Sequence, residues 1–135
     1  MADEQYLQEL KSYFSDVPFW KYVGCTIESI EEGEAVLSLT VAHEHMNGNM
    51  TLHGGVYATL LDNAMGLAAR SQGEKNQATT NMNIHYLAAV NTGKVYARGR
   101  IVHRTKRTIT TEARVEAEDG MLLAMATGSF RVLKQ

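Results

Sequence analysis

The chain has 135 residues, of which 44% are hydrophobic, and its formal net charge is −2. This length and apolar content predict a single domain over residues 1–135, and the near-neutral charge excludes the basic field that nucleic-acid binding requires. The lone Cys25 excludes an intrachain disulfide, and without a signal peptide or an apolar stretch of ~20 residues we expect a cytoplasmic protein.

An amphipathic helix is predicted near the amino end, because apolar side chains recur at helical spacing between residues 3 and 14. Pro18 is expected to end this helix. Phe19, Trp20 and Tyr22 then form an aromatic connector that closes one end of the core. Helix and connector together make up residues 1–22.

Two strands and a polar loop are predicted next. Apolar residues recur with a period of about two between residues 25 and 42, and the Glu-Gly-Glu sequence at 32–34 interrupts them, which is typical of a hairpin. Residues 43–52 are polar and contain Asn-Gly-Asn at 47–49, which predicts a loop.

Residues 53–71 predict a buried helix. Apolar or small side chains cover almost its whole circumference, and a helix that is apolar on all sides lies inside a core. Gly73 is expected to end it, since glycine readily adopts the left-handed conformation common after helices.

Four further strands are predicted in residues 78–87, 94–102, 108–118 and 121–132. The order of elements indicates an α+β fold in which a curved antiparallel β-sheet wraps around the long central α-helix. The outer face and edges of such a sheet need cover, which favours a homo-oligomer.

Asp62 is the candidate catalytic group in the buried helix. It stands between Leu61 and Asn63 in an otherwise apolar segment, where a carboxylate is costly unless it is paired or faces a cavity. Acids in such surroundings gather at active sites. The alternative is a structural role, in which Asp62 bonds a backbone amide at a subunit interface.

The sequence His53-Gly54-Gly55 at the start of this helix is a candidate oxyanion site. The first amides of a helix have no internal acceptor and carry partial positive charge, and glycine lets a ligand oxygen approach them. Such an amide can stabilise the oxyanion formed when a carbonyl is attacked. The alternative is that the glycines only let the loop turn into the helix.

Helix geometry separates these two candidates. Asp62 lies eight residues beyond Gly54, which is ~12 Å along a helix axis. One carbonyl group cannot easily meet both on the same helix. If both act on one substrate, they come from two subunits whose helices run antiparallel across a two-fold axis.

The spacing Asn47, His-Gly-Gly at 53–55 and Asp62, followed by Met-Asn-Ile-His-Tyr-Leu at 82–87, resembles hotdog-fold thioesterases of the phenylacetate-pathway (PaaI-like) type. The resemblance runs from about residue 24 to the carboxyl end and includes HRTKRTITTEARV and LLAMATGSFRV. It implies the hotdog fold and hydrolysis of an acyl- or aroyl-CoA to the free acid and CoA. No cofactor is expected, because CoA is part of the substrate.

The resemblance implies a role for each matching position. The carboxylate of Asp62 is the nucleophile or general base, and the Gly54 amide is the oxyanion donor. Asn47 helps to place the carbonyl or a water molecule. His53 hydrogen-bonds near the thioester or orients the loop.

Further positions follow from the same resemblance. Thr79 matches a small hydroxyl residue that assists the attacking water in some relatives, and Thr80 is the alternative register. Gly55 and Tyr86 border the substrate. Relatives often carry proline where this chain has alanines at 88–89, and some carry glutamate in place of the aspartate, whose shorter arm favours general-base action through water.

A basic turn between two predicted strands is the candidate site for the nucleotide of CoA. Arg104, Lys106 and Arg107, with the neighbouring Thr108, offer donors suited to phosphate, and the resemblance places this turn near the nucleotide. The alternative is a solvated basic turn, which most runs of Lys and Arg are.

No metal site is predicted. His43 and His45 would face the same side of a strand, but no third ligand lies near them in the sequence. Cys25 lacks basic neighbours, which argues against a reactive thiolate. His85 is expected to be a packed or interface histidine.

The sequence leaves the acyl group open. Tyr57, Met65 and Met82 are expected to shape the acyl pocket, and Met46 and Met50 to line the core or the pocket.

Two other functions compete with hydrolysis. A non-catalytic acyl-CoA binding module would need no acid at position 62. A hotdog dehydratase or hydratase would arrange its histidine and acid differently. Dimer and dimer of dimers are equally compatible with the sequence.

Overall fold

The computed structural model describes residues 3–133. Its helices and strands are α1 (Glu4–Ser15), α2 (Pro18–Val23), β1 (Thr26–Glu31), β2 (Glu34–Thr40), a 3-10 turn (His43–His45), α3 (Gly54–Arg70), β3 (Gln77–Tyr86), β4 (Lys94–Arg104), β5 (Thr108–Ala117) and β6 (Leu122–Val132). Every predicted strand is present, with ends that differ by a few residues.

The six strands form one antiparallel sheet in the order β1-β2-β4-β5-β6-β3. Bulges interrupt the pairing in β1, β3, β4 and β6, and a bulge bends its strand. The sheet wraps around α3, which confirms the predicted fold class. Strands β1 and β3 are its two edges.

Small residues let α3 lie close to the sheet. Gly99 of β4 pairs with Ala113 of β5, which pairs with Ala126 of β6, so one row across three strands has no bulky side chain. A Cβ atom added to Gly99 would lie 2.5 Å from the carbonyl carbon and oxygen of Ala64. The helix backbone therefore rests almost directly on the sheet.

Helix α3 is buried on most of its surface but not on all of it. Ten of its 17 residues are buried, as the apolar sequence predicts. However, Gly55 is exposed, and Thr59 and Asp62 are half-buried. Asp62 thus lies on a stripe that the chain leaves partly exposed, and the expectation of a helix buried on all sides is wrong at this stripe.

The amino-terminal segment covers one end of the core. In α1 the side chain of Leu10 is buried, and the Tyr6 hydroxyl donates to the Arg70 carbonyl at 2.8 Å. The predicted aromatic connector is instead a second helix, because Pro18 occupies its first turn, where the missing N–H costs nothing. Of its aromatic residues only Trp20 is buried.

Within residues 3–133, none of the helices combines the length and the apolar character needed to cross a bilayer.

Candidate active site

The amino end of α3 offers one free amide. The Nδ1 atom of His53 accepts the Gly55 N–H at 2.7 Å and so caps the helix. Because Nδ1 accepts, the neutral ring carries its proton on Nε2. The Gly54 N–H has no acceptor among residues 3–133. Of the two predicted glycine positions, Gly54 is therefore the one that can bind a ligand oxygen.

The Tyr86 ring lies against this amide. A Cβ atom on Gly54 would be 3.3 Å from Cε1 of Tyr86, and the same ring packs edge-on against Tyr57 with centroids 6.0 Å apart. Tyr57 is anchored by its hydroxyl, which donates to the Ala88 carbonyl at 3.1 Å. The structure thus places Tyr86, to which the resemblance assigns a position bordering the substrate, beside Gly54.

The side chain of Asn47 organises the loop before α3. Its Oδ1 accepts the backbone N–H groups of Asn49 at 2.9 Å and Thr51 at 3.0 Å, and the Thr51 hydroxyl at 3.2 Å. Three donors on the oxygen fix the orientation of the amide and leave the Nδ2 group as a donor. Asn47 can therefore donate to a carbonyl or to water only through Nδ2.

Asp62 is bonded to Thr79. The Thr79 hydroxyl donates to Oδ1 of Asp62 at 2.9 Å. Thr80 points elsewhere, and its hydroxyl donates to the Ser129 carbonyl at 3.1 Å. Of the two threonines that the sequence left open, Thr79 is therefore the partner of Asp62, whose Oδ2 stays available for chemistry.

Arg70 supplies a positive charge on the same side of α3. Its guanidinium donates to the carbonyls of Gly66 at 3.0 Å, Lys75 at 3.0 Å and Gln77 at 2.8 Å. Burial lowers the pKa of Arg70 from its usual value, and the negative charge of Asp62 acts in the opposite direction. In the sequence, the only indication of a role for Arg70 is its spacing of about two helical turns from Asp62.

The candidate site consists of two groups of residues that lie at opposite ends of β3. Gly54 and Tyr86 meet at the last residue of β3, whereas Asp62 and Thr79 meet near its start. Their ~12 Å separation along α3 keeps a single carbonyl from contacting both. One chain therefore holds two half-sites.

The basic turn lies at the Asp62 end. Thr79 pairs with Phe130, Phe130 with Ile109, and Ile109 with Arg104, so one row of partners crosses the sheet from the Asp62 half-site to the turn.

The residues of this turn differ in how they are held. Arg104 donates to Gln72 Oε1 at 2.9 Å and forms an ion pair with Glu74, which ties it to the segment after α3. The side chains of Lys106 and Arg107 are exposed and have no bonded partner within residues 3–133. Thr108 is exposed and donates its backbone N–H to Thr105 Oγ1 at 3.1 Å.

Several residues considered from the sequence have structural contacts. His45 lies on a 3-10 turn and not on a strand with His43, and both nitrogens of its ring bond backbone groups. Burial raises the pKa of the Cys25 thiol to about 11, which keeps it protonated at neutral pH. Met65 is buried in the core, but Met50 is exposed, which contradicts a core position for Met50.

A groove that the sequence did not reveal adjoins the helix mouth. It has a volume of about 620 Å³ and runs between α2, the 3-10 turn and the first turns of α3. Its lining includes His53 and Gly55, which flank the free amide. The indication of this groove in the sequence is the set of aromatic residues in α2, which the sequence pattern instead assigns to the core.

The chain is similar to known thioester hydrolases in sequence. The profile of the thioesterase superfamily matches residues 49–124. A 1,4-dihydroxy-2-naphthoyl-CoA hydrolase of Listeria monocytogenes is 29% identical, over 84% of this chain and 94% of that relative.

The fold is shared with solved structures. A mutant of the phenylacetic acid degradation protein PaaI from Thermus thermophilus matches with a TM-score of 0.81 and 30% identity, over 87% of this chain and 100% of that chain. PaaI of Escherichia coli matches with a TM-score of 0.88 over 94% of this chain and 92% of that chain. Its identity of 24% makes this second likeness one of fold alone.

Proposed function

The chain belongs to the thioesterase superfamily and is a thioester hydrolase, and we propose that it hydrolyses an acyl- or aroyl-CoA at a site built by two subunits. The observation that carries this proposal is the division of the candidate groups. The free Gly54 amide stands at one end of β3, and the Asp62–Thr79 pair stands at the other. A second copy that runs antiparallel brings the two ends together.

The edge of β3 suits such an arrangement. Its outer side has no partner strand within residues 3–133, and an unpaired edge is a template for another strand. If two β3 edges pair antiparallel about a centre at Asn83, Thr79 lies opposite Tyr86 of the second copy, because the bulge at Thr80 takes no paired position and both residues are then equally far from the centre. Each Asp62 then faces the Gly54 of the other subunit.

In this site the Gly54 N–H donates to the thioester carbonyl oxygen. Asp62 of the second subunit removes a proton from water through Oδ2, while Thr79 holds Oδ1. The water oxygen attacks the carbonyl carbon, and the Gly54 N–H stabilises the oxyanion. When the carbon–sulfur bond breaks, the CoA thiolate takes the proton from Asp62, and the acid is released.

The CoA nucleotide lies at the basic turn in this proposal. Lys106 and Arg107 are exposed and unpaired within the described part of the chain, so they are free to bind phosphate oxygens. Arg104 is tied to Glu74 and shapes the turn. The turn that binds the nucleotide and Asp62 then belong to the same subunit. The oxyanion donor, Gly54, belongs to the other subunit.

The roles of Asp62 and Gly54 can be tested separately by CoA release from a panel of acyl- and aroyl-CoA substrates. Asp62→Asn removes the base, and we expect kcat to fall by about 10²–10⁴-fold. Gly54→Pro removes the amide proton and adds the proline ring, and we expect a fall of about 10²–10³-fold. Proline fits there because Gly54 begins the helix and His53 has φ −64° and ψ 138°, which suits a residue before proline.

Gly54→Ala is the matched control, because its Cβ meets the same Tyr86 ring at 3.3 Å but its N–H remains. If Gly54→Ala loses as much activity as Gly54→Pro, the amide is not the oxyanion donor. If folded Asp62→Asn releases thiol like the wild type, Asp62 is not the base. A wild type that binds acyl-CoA without releasing thiol would be a binding module instead.

Mixed dimers test the shared site. A heterodimer of Gly54→Pro and Asp62→Asn subunits carries one site with both groups intact and one with neither. Random mixing therefore restores about one quarter of wild-type activity, since half the dimers are mixed and each has one of two sites. No recovery after verified mixing would mean that both groups act within one subunit.

A further inference from the structure

We infer that Arg70 is a positioning residue of the candidate active site. Its guanidinium group fastens the start of β3 to α3 and thereby sets the hydrogen bond from Thr79 to Asp62. This inference rests on the proposed role of Asp62 as the base and adds a residue that supports it. Arg70 itself does not contact the substrate and acts only through the Thr79 hydroxyl.

The guanidinium of Arg70 joins three parts of the backbone. Nη1 donates to the Gly66 carbonyl in α3 at 3.0 Å, and Nε donates to the Lys75 carbonyl in the connecting loop at 3.0 Å. Nη2 donates to the carbonyl of Gln77 at 2.8 Å, which is the first residue of β3 and stands two residues before Thr79. Because a guanidinium is planar and rigid, these three bonds fix how the start of β3 lies against the helix.

The charge of Arg70 is not needed to end the helix. The Ser71 hydroxyl already donates to the Ala68 carbonyl at 2.7 Å at that end. Among the ion pairs within residues 3–133, none includes Arg70. Burial lowers the pKa of Arg70, whereas the negative charge of Asp62 raises it. A partly desolvated charge that is balanced by carbonyl oxygens and by the field of Asp62 therefore points to a role at that carboxylate.

Gly66 leaves the space that the guanidinium occupies. A Cβ atom on Gly66 would lie 2.9 Å from Nη1 of Arg70, too close for both atoms to keep their places. Gly66 stands four residues after Asp62, so the guanidinium packs over the turn that follows the carboxylate on the same face of α3. Glycine is unfavourable in a helix interior, and the guanidinium that packs over it gives a reason for glycine at this position.

Helix α1 also holds Arg70. The Cζ atom of Arg70 lies 5.1 Å from the centre of the Phe14 ring, a distance at which a cation is attracted to an aromatic face. The Tyr6 hydroxyl donates to the Arg70 carbonyl at 2.8 Å. Both aromatic residues precede residues 49–124, which match the superfamily profile. The amino-terminal helix therefore supports the Asp62 half-site through Arg70.

The kinetics of CoA release test this role, with the acyl-CoA that the wild type cleaves fastest. In Arg70→Gln we expect kcat to fall by about tenfold and KM to change by less than about twofold, because the hydrogen bond from Thr79 to a charged group is lost. Arg70→Lys keeps the charge but not the planar set of donors, so a loss of about fivefold or more should remain.

Arg98→Gln is the matched control, because it removes an exposed arginine that pairs with Glu116 on the outer face of the sheet. It should leave kcat and KM unchanged. An Arg70→Lys variant with full activity would show that the charge alone is sufficient, and it would overturn the positioning role.

Gly66→Ala displaces the guanidinium without removing it. The new Cβ meets Nη1 of Arg70 at 2.9 Å, whereas its distance of 3.4 Å to the Phe130 ring is an ordinary contact. Since alanine favours a helix, the thermal midpoint should stay the same or rise. We expect kcat to fall by about threefold or more, as part of one hydrogen bond is lost. A folded Gly66→Ala variant with the kcat of the wild type would overturn the inference, even if Arg70→Gln does not fold.

A double mutant shows whether Arg70 acts through Thr79. Effects of residues that act as one unit do not add. Arg70→Gln combined with Thr79→Val should therefore lower kcat by about tenfold, as much as either substitution alone. A loss of about a hundredfold would mean that the two residues act independently, which contradicts the inference.

Asp62→Asn separates this inference from the proposed function. If the folded Asp62→Asn variant releases CoA like the wild type, the proposed base is wrong and the role of Arg70 falls with it. If Asp62→Asn is inactive but Arg70→Gln and Gly66→Ala match the wild type, the proposed function stands and only the positioning role is wrong.

Discussion

At the scale of single residues, Asp62 is held by one hydrogen bond and lies in the field of one positive charge. The Thr79 hydroxyl reaches it from β3, and the charge of Arg70 acts on it from the next turns of α3. The pairing of β3 with β6 shifts between Thr79 and Asn81, and such a bulge reorients neighbouring side chains. The bulge therefore directs Thr79 and Thr80 to different partners.

Replacing these two threonines by their isostere valine tests that assignment. Thr79→Val removes the donor to Asp62, and we expect kcat for thioester hydrolysis to fall by about tenfold with little change in KM, since one hydrogen bond to a charged group is worth about 1.5–3 kcal/mol. Thr80→Val removes a hydroxyl that donates only to the Ser129 carbonyl. Equal kinetic effects of the two substitutions would contradict the pairing of Thr79 with Asp62.

The sequence predicted which residue types form the site, but it could not decide between neighbouring residues of the same type. The residues alone left the helix-mouth amide open and only the resemblance named Gly54, whereas the structure distinguishes Gly54 from Gly55 by the position of the His53 ring. Likewise, alternation along a strand does not reveal a bulge, so Thr79 and Thr80 were equivalent. The position of Arg70 could not be predicted, because the Lys75 and Gln77 carbonyls that accept its hydrogen bonds come close to it only in the folded chain.

At the scale of elements, the contact between α3 and β4 holds the half-sites in place. The helix and strands were predicted from local periodicity, which depends only on neighbouring residues. Their closest approach was not predicted, because it requires the register that sets Gly99 in a row with Ala113 and Ala126. Helix α2 was not predicted, because the sequence pattern suggests that Pro18 ends a helix. In the structure, Pro18 begins α2.

Gly99→Ala should destabilise the fold. Its Cβ would lie 2.5 Å from backbone atoms of Ala64, which cannot rotate away as a side chain can, so α3 must shift. We expect the free energy of unfolding to fall by about 3 kcal/mol or more, the upper part of the range for overpacking. Urea denaturation measures this change. Gly48→Ala is the control, because a Cβ there meets nothing within 4 Å, and a similar loss in both variants would refute the close contact.

At the scale of the whole molecule, the proposed second subunit is needed at an edge and not on the outer face of the sheet. Strands β4 and β5 carry ion pairs on that face, between Arg98 and Glu116 and between Arg100 and Glu112, and such a face is suited to water. The exposed ion pairs therefore weaken the prediction that another subunit must cover the outer face of the sheet. The unpaired β3 edge is the stronger argument for a dimer, because only pairing there also completes the site.

A charge near the centre of β3 should therefore dissociate the dimer and abolish activity together. In Asn83→Glu, two carboxylates face each other across the two-fold axis, and we expect the dimer to weaken by about tenfold or more. Thr127→Glu places the same charge on the paired neighbour of Asn83 in β6, one strand further from the edge, and should leave the dimer intact.

Light scattering on a size-exclusion column gives the mass, and CoA release at the same protein concentrations gives the activity. Raising the ionic strength screens the two carboxylates and should return both dimer and activity in Asn83→Glu. An active monomeric wild type, or an Asn83→Glu variant that stays dimeric and fully active, would contradict a site completed by β3 pairing. The salt response is decisive because a misfolded variant would recover neither property, whereas repulsion across a two-fold axis predicts that both recover in parallel.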